Sequence, residues 1–175
     1  MVTTATTGAA KLTSSVEEAV VATPIVFREH VVDLARGWIG TPYHHQAALK
    51  GVGCDCFGLV RGVWRELYGS EPEKPPNYSW DWAEARGVEE MVDAAARHMI
   101  ALPLSNAGAG DVMIFRYKQQ FVAKHSVILT GADRMIHAIN GSPVSEVHMG
   151  PWWRRRAAAA FRFPFASGGV VEGSS

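Results

Sequence analysis

Gly53-Cys54-Asp55-Cys56-Phe57-Gly58-Leu59-Val60-Arg61-Gly62-Val63-Trp64-Arg65-Glu66-Leu67-Tyr68-Gly69 is the stretch on which the fold turns. Val60, Val63, Trp64 and Leu67 follow the i, i+3, i+4, i+7 spacing of a buried helical stripe. Gly69 closes that stripe and Asp55 is placed to cap its start, so the spacing predicts a helix over 55–68 with Cys56 in its first turn. A thiol there feels about half a positive charge from unpaired amides, which favours thiolate. With an imidazolium nearby, such a position brings a cysteine from a pKa near 8.5 to roughly 3.5–7.5, which makes it a usable nucleophile. The plainer reading of the same residue is a small buried hydrophobe.

Outward from this helix the chain changes character once. Val31, Leu34, Ala35 and Trp38 repeat the helical spacing, and Gly40-Thr41-Pro42 stops it, predicting a first helix over 26–39. The Pro-rich run 71–77 cannot continue a helix, and 80–98 carries a weaker helical pattern broken by Gly87. Beyond it, 111–117, 125–130, 134–139, 144–149 and 158–165 are short β-prone runs separated by Gly, Asp, Asn and Pro. Helices first and strands later predict an α+β fold with an antiparallel sheet. Residues 1–24 and 167–175, rich in Gly, Ser, Thr and Ala, read as flexible or docking segments around a domain over 25–166.

Composition excludes several functions. A chain of 175 residues holds one domain of ordinary size, so one working site is expected. Seventeen basic residues balance seventeen acidic ones, which leaves no field to gather nucleic acid. No apolar stretch approaches the ~18–20 residues needed to span a bilayer, so the protein is not expected to be membrane-embedded. The first 24 residues lack the basic start and apolar run of a secretory signal, so export by that route is not expected. The two cysteines are too close in sequence to form a disulfide framework.

A nucleophile needs a base, and seven histidines are available. His125 opens an apolar strand and His137 lies within the next, where titratable rings need a reason. In a hairpin, facing residues share a constant index sum. A sum of 262 sets His125 opposite His137 with 130–132 at the tip, whereas 263 sends the rings to opposite faces. The pairing therefore demands an odd loop, which Gly131 permits. One imidazole would serve the thiol as base and the second would orient the first. Core or surface roles for each histidine remain the rival reading. Zinc held by Cys54, Cys56, His44 and His45 fits poorly, because Cys-x-Cys and adjacent histidines miss the usual ligand gaps. Asp111 reads as a turn or cap at a strand start, and the pairs Trp80/Trp82 and Trp152/Trp153 as packing or as walls of a groove.

Taken in order, Ile39-Gly40-Thr41-Pro42-Tyr43, Asp55-Cys56-Phe57-Gly58-Leu59-Val60, Gly110-Asp111-Val112, His125, and Met135-Ile136-His137-Ala138 resemble the NlpC-type cysteine peptidases that cut bacterial peptidoglycan. The resemblance implies a papain-like α+β fold, with the cysteine at a helix N-terminus packed on an antiparallel sheet. It implies Cys56 as nucleophile, His125 as general base and acid, and His137 as orienting third residue. Tyr43 and Asp55 are implied on the substrate and oxyanion side, together with the Cys56 backbone amide. No cofactor or metal is implied. The implied substrate is a peptidoglycan stem peptide, cut between γ-D-glutamate and a diamino acid. Phe57 stands where the family usually has Ser, and Cys54 adds a second thiol. The run 53–69 is most similar to the branch found in tails of bacteriophages and gene-transfer particles. That likeness implies tail or baseplate partners and a wall enzyme made in the cytoplasm and carried to the target periplasm by a particle. Alternatives on the same fold are a silent tail plug and an amidase or acyltransferase.

Overall fold

The computed structural model describes residues 23–73 and 89–165. Helix α1 spans Pro24–Arg36, with Thr23 capping it and Pro24 in the first turn, where its fixed φ suits a helix start. It stops earlier than the predicted 39. Trp38 nevertheless drops into the core from the turn beyond and donates its indole N–H to Glu66 Oε1 at 2.6 Å. Two short paired strands, β1 (Ala48–Leu49) and β2 (Gly53–Cys54), lead into α2 at Cys56–Tyr68, whose N-cap is Asp55. The glycines of the decisive stretch are explained by close approach. A Cβ on Gly62 would lie 2.0 Å from the Trp38 ring, and one on Gly58 would lie 1.9 Å from the Ala47 carbonyl oxygen.

Helix α3 (Glu90–His98) is the described part of the weaker helical pattern; residues 80–88, with Trp80 and Trp82, lie outside the described residues, as do 1–22 and 166–175. Then come β3 (Ile100–Leu102), β4 (Asp111–Phe115), β5 (His125–Leu129), β6 (Arg134–Ile139), β7 (Ser142–His148), α4 (Pro151–Arg154) and β8 (Ala157–Arg162). The six strands β3 to β8 form one antiparallel sheet in the order β3-β8-β4-β5-β6-β7. The protein is α+β, as its sequence predicts. The additions are the three-residue strand β3, the hairpin β1–β2 and the four-residue helix α4, each too short to show a periodicity.

Both faces of the sheet are covered, which is why β4 and β5 are buried at every position. Val112, Ile114, Ile128 and Ile136 pack with Val31 of α1 and with Leu59 and Val63 of α2. On the other face Met113, Phe115, Val127, Leu129 and Met135 pack with Met149 and Trp153. Among the described residues no helix is long and apolar enough to cross a membrane.

The β5–β6 hairpin corrects one detail and keeps the principle. Ile128 faces Ile136 and Leu129 faces Met135, an index sum of 264 rather than 262. Thr130 extends the pairing, donating its N–H to Arg134 O at 3.0 Å and its hydroxyl to Glu146 at 2.7 Å. The tip therefore moves to Gly131-Ala132-Asp133. The loop is still odd, so His125 and His137 share a face, but as diagonal neighbours.

Candidate active site

The head of α2 is assembled by Asp55. Its Oδ1 accepts the Gly58 amide and its Oδ2 the Gln46 amide, both at 2.7 Å, while His45 Nδ1 lies 3.6 Å from Oδ2. The buried carboxylate thus makes the predicted cap and ties down the preceding turn as well. Tyr43 is bridged to Cys54, so the tyrosine and the cysteine helix form one unit. The two thiols diverge: Cys54 is fully buried in the core, and Cys56 is half-buried with its Sγ 3.8 Å from the Lys124 carbonyl. Ser126 donates its hydroxyl to the Cys56 carbonyl at 2.9 Å, stitching the helix head to β5. Cys56 therefore meets β5 at the residues on either side of His125.

His125 Nε2 and His137 Nδ1 are 3.2 Å apart, with both side chains buried. Trp153 covers the pair, its ring centroid 5.3 Å from that of His125 and 5.8 Å from that of His137. Tyr43, Asp55, Cys56 and His125 line one cavity of about 490 Å³. Of the residues read from sequence, the histidines touch each other, and Cys56, Tyr43 and Asp55 share a cavity with His125, while His137 lies behind it. His44 and His45 are exposed, His44 meeting buried Cys54 through a backbone hydrogen bond at 3.1 Å, and among the described residues no three His, Cys, Asp or Glu side chains converge as a metal needs. Asp111 lies at the other end of β4. There it accepts the Gly108 amide, the predicted turn role, and also pairs with Arg28 and Arg162.

The electrostatics overturn the expectation of a lowered thiol. Burial, then the Asp55 charge, push Cys56 up to about 11, against hydrogen bonds from Ser126 and from the Phe57 amide that pull it down. The amides at the helix end are outweighed by the dry surroundings and the neighbouring carboxylate. Burial, then His137, push His125 down to about 3, and burial also lowers His137. Tyr43 is pushed up to about 12 by burial and by charge at Cys56 and Asp55. At rest the thiol and both imidazoles are thus uncharged. Because Nε2 of His125 is occupied by His137, its Nδ1 is the nitrogen left to accept a proton, which requires the Nε2–H tautomer donating to His137 Nδ1.

Sequence reasoning passed over Ser126 and the placement of Trp153. Ser126 carried a signal, being polar in an otherwise apolar strand as the histidines are; Trp153 sits on a helix too short to announce its orientation.

A profile of the NlpC/P60 family matches residues 40–162. The chain is 27% identical over 136 residues to the murein DD-endopeptidase MepS/murein LD-carboxypeptidase of Escherichia coli K12, covering 77% of this chain and 62% of that protein. It is 26% identical over 134 residues to the gamma-DL-glutamyl hydrolase of Bacillus subtilis strain 168, covering 76% of this chain and 29% of that one. The chain thus spans less than two thirds of either relative. In fold it is similar to the NlpC/p60 domain of the peptidoglycan hydrolase SagA, with TM-score 0.54, 22% identity, 78% of this chain and 98% of that chain covered. A Bacillus cereus NlpC/P60 family protein gives TM-score 0.55 at 20% identity, over 78% of this chain and 40% of that one.

Proposed function

This chain belongs to the NlpC/P60 family, and from that premise we propose that it is a cysteine endopeptidase of peptidoglycan stem peptides, working through Cys56, His125 and His137. The observation that carries the reading is the buried imidazole pair, 3.2 Å between nitrogens, at the strand start against which the Cys56 thiol rests. Nothing in packing demands a thiol and two hydrogen-bonded histidines together.

In this reading the neutral pair acts by general-base catalysis. As Sγ attacks the scissile carbonyl carbon, the thiol proton passes to Nδ1 of His125 and the carbonyl oxygen gains the electron pair. The oxyanion forms beside the Cys56 amide at the helix head, with Tyr43 facing the same cavity. The C–N bond then breaks, His125 returns the proton to the leaving amine, and an acyl thioester remains. Water, deprotonated by His125, attacks the thioester and releases the acid and the free thiol. His137 accepts the Nε2–H throughout and holds the tautomer.

The substrate class is supported by the relatives, whose names place them at murein peptide and gamma-glutamyl bonds. The bond proposed is γ-D-glutamyl to diamino acid. The finer reading, an enzyme carried on a phage-like tail and acting in the wall of a target cell, is supported by the likeness of 53–69 to that branch. Incubation with murein tripeptide and tetrapeptide is the direct test, expecting new amino groups whose appearance Cys56→Ala abolishes. No cleavage between pH 5 and 9, or cleavage unchanged in Cys56→Ala, would sink the reading in favour of a tail plug. A different bond cut or joined would point to an amidase or acyltransferase.

A further inference from the structure

We propose that Trp153 is a positioning residue for the general base, the flat surface that sets the plane of His125 and keeps its Nδ1 turned toward the cavity it shares with Cys56. The inference rests on reading His125 as that base. A hydrogen bond to His137 fixes one atom of the His125 ring, Nε2, but leaves the ring free to pivot about that atom. A second constraint is needed to fix the plane, and Trp153 supplies it. Its indole lies nearly parallel to His125, at 30° and 5.3 Å, and presents itself edge-on to His137 at 80° and 5.8 Å. One aromatic plate thus contacts both members of the pair, which themselves meet at 75°.

Trp153 is held firmly enough to do this. Phe115 meets it at 5.1 Å from within the sheet, and Trp152 at 4.8 Å and 85° from outside. Around it, Arg154 donates to the Ala132 carbonyl at the β5–β6 tip, at 2.8 Å. Arg156 donates to the Tyr117 carbonyl at 2.9 Å and lies over Trp152 at 4.0 Å. The Arg154 bond clamps α4 to the hairpin that carries the histidines, and the Arg156 bond ties the residues after α4 to the segment between β4 and β5.

The plate also keeps water from the ring. His137 meets His125 from β6, and the cavity that His125 lines also carries Cys56 and Asp55 at the head of α2, Tyr43 and His45 before it, and Tyr117 and Lys124 between β4 and β5. Helix α4 faces it with an uncharged indole. A cation–π attraction to an indole would favour imidazolium, yet His125 is driven the other way, from 6.5 to about 3, with burial the largest cause. Removing the indole should therefore let the ring titrate higher.

The test is NMR of the ¹⁵N-histidine-labelled full chain, read as ring tautomer and titration, with no substrate present. Wild type is expected to hold one neutral Nε2–H tautomer at His125 down to pH 5. Trp153→Ala and Trp153→Leu should mix the tautomers and raise the apparent pKa by at least about one unit. Trp153→Phe should restore the single tautomer. Unchanged tautomer and titration in folded Trp153→Ala or Trp153→Leu would overturn the proposal, as would a Phe variant as scrambled as the Leu one. If the Ala variant does not fold, the volume-filling Leu variant decides. On stem peptide, Trp153→Leu is expected to lower kcat about tenfold with KM unchanged. A wild type that cuts no stem peptide counts against the proposed function, while the NMR result still judges Trp153.

Discussion

The same sheet buries two polar clusters and treats them in opposite ways. At one end, Asp111 is fully buried and accepts from Arg162 at 2.8 and 2.9 Å, from Arg28 at 3.1 Å and from the Gly108 amide at 3.0 Å. Its charge is matched by guanidinium groups, and the bonds lock α1, β4 and β8 together. At the other end, Cys56, His125 and His137 are held by hydrogen bonds and ring contacts, and burial drives each toward its uncharged form. The contrast separates structure from chemistry. Paired charges hold their protons in place and fix the fold; the second cluster keeps a thiol and two imidazoles uncharged, which in the proposed reaction leaves a proton that an arriving carbonyl sets moving.

The contrast is broken most severely by exchanging what is removed. His125→Ala should lower kcat on stem peptide by about 10²–10⁴, the usual contribution of a general base, while the protein stays folded. Steady-state rates alongside urea unfolding check both halves. Asp111→Ala should do the reverse, costing about 3 kcal/mol of stability with kcat per folded molecule unchanged. That is the low end for breaking a buried pair, because Arg28 and Arg162 keep 30% and 31% of their side chains exposed and can be rehydrated. A kcat loss in Asp111→Ala comparable to that of His125→Ala would show that the two ends are not independent.

Much of this division was legible in the sequence. The helix carrying Cys56 followed from Val60, Val63, Trp64 and Leu67, and its cap from Asp55. The shared face of the histidines followed from strand parity, which depends on whether the loop is odd and not on its position; the register slipped because Thr130 stayed in the ladder. What sequence could not supply was the environment. The thiol shift was misjudged because the half-charge of a helix end is a local property, whereas burial and the charge of an adjacent carboxylate depend on tertiary packing. Asp111 carries turn chemistry in its own neighbourhood, but Arg28 and Arg162 arrive from 83 and 51 residues away. Trp153 was invisible as a lid for the same reason: four helical residues have no periodicity to say which way an indole points.

The reactivity of the thiol sharpens the comparison next. With Cys56 raised to about 11, the thiolate fraction should climb about tenfold per pH unit between pH 7 and 10, and iodoacetamide alkylation should follow it. A thiolate already formed as an ion pair would instead alkylate at a constant rate across that range. Cys56→Ala supplies the blank, since Cys54 is fully buried. A flat profile would mean that the charged form of the pair is already populated at rest.

Acid stability separates the clusters by the smallest effect. His125 titrates at its ordinary 6.5 when unfolded and at about 3 when folded. Between those values the unfolded chain binds more protons, so stability falls as pH falls, with a slope approaching about 1.4 kcal/mol per pH unit. Above pH 6.5 both states are neutral at this ring and it contributes no slope. The useful window is therefore pH 6.5 to 5, above the range in which carboxylates such as Glu146, held down at about 2 by Thr130, Arg36 and Arg134, begin to protonate. His125→Leu removes the ring and should flatten the curve there, leaving the smaller slope of His137. Asp111→Ala should shift the whole curve down without changing its shape in that window. Urea denaturation at half-unit pH steps distinguishes them, and a His125→Leu curve as steep as wild type would show that the buried ring is already protonated in the folded chain.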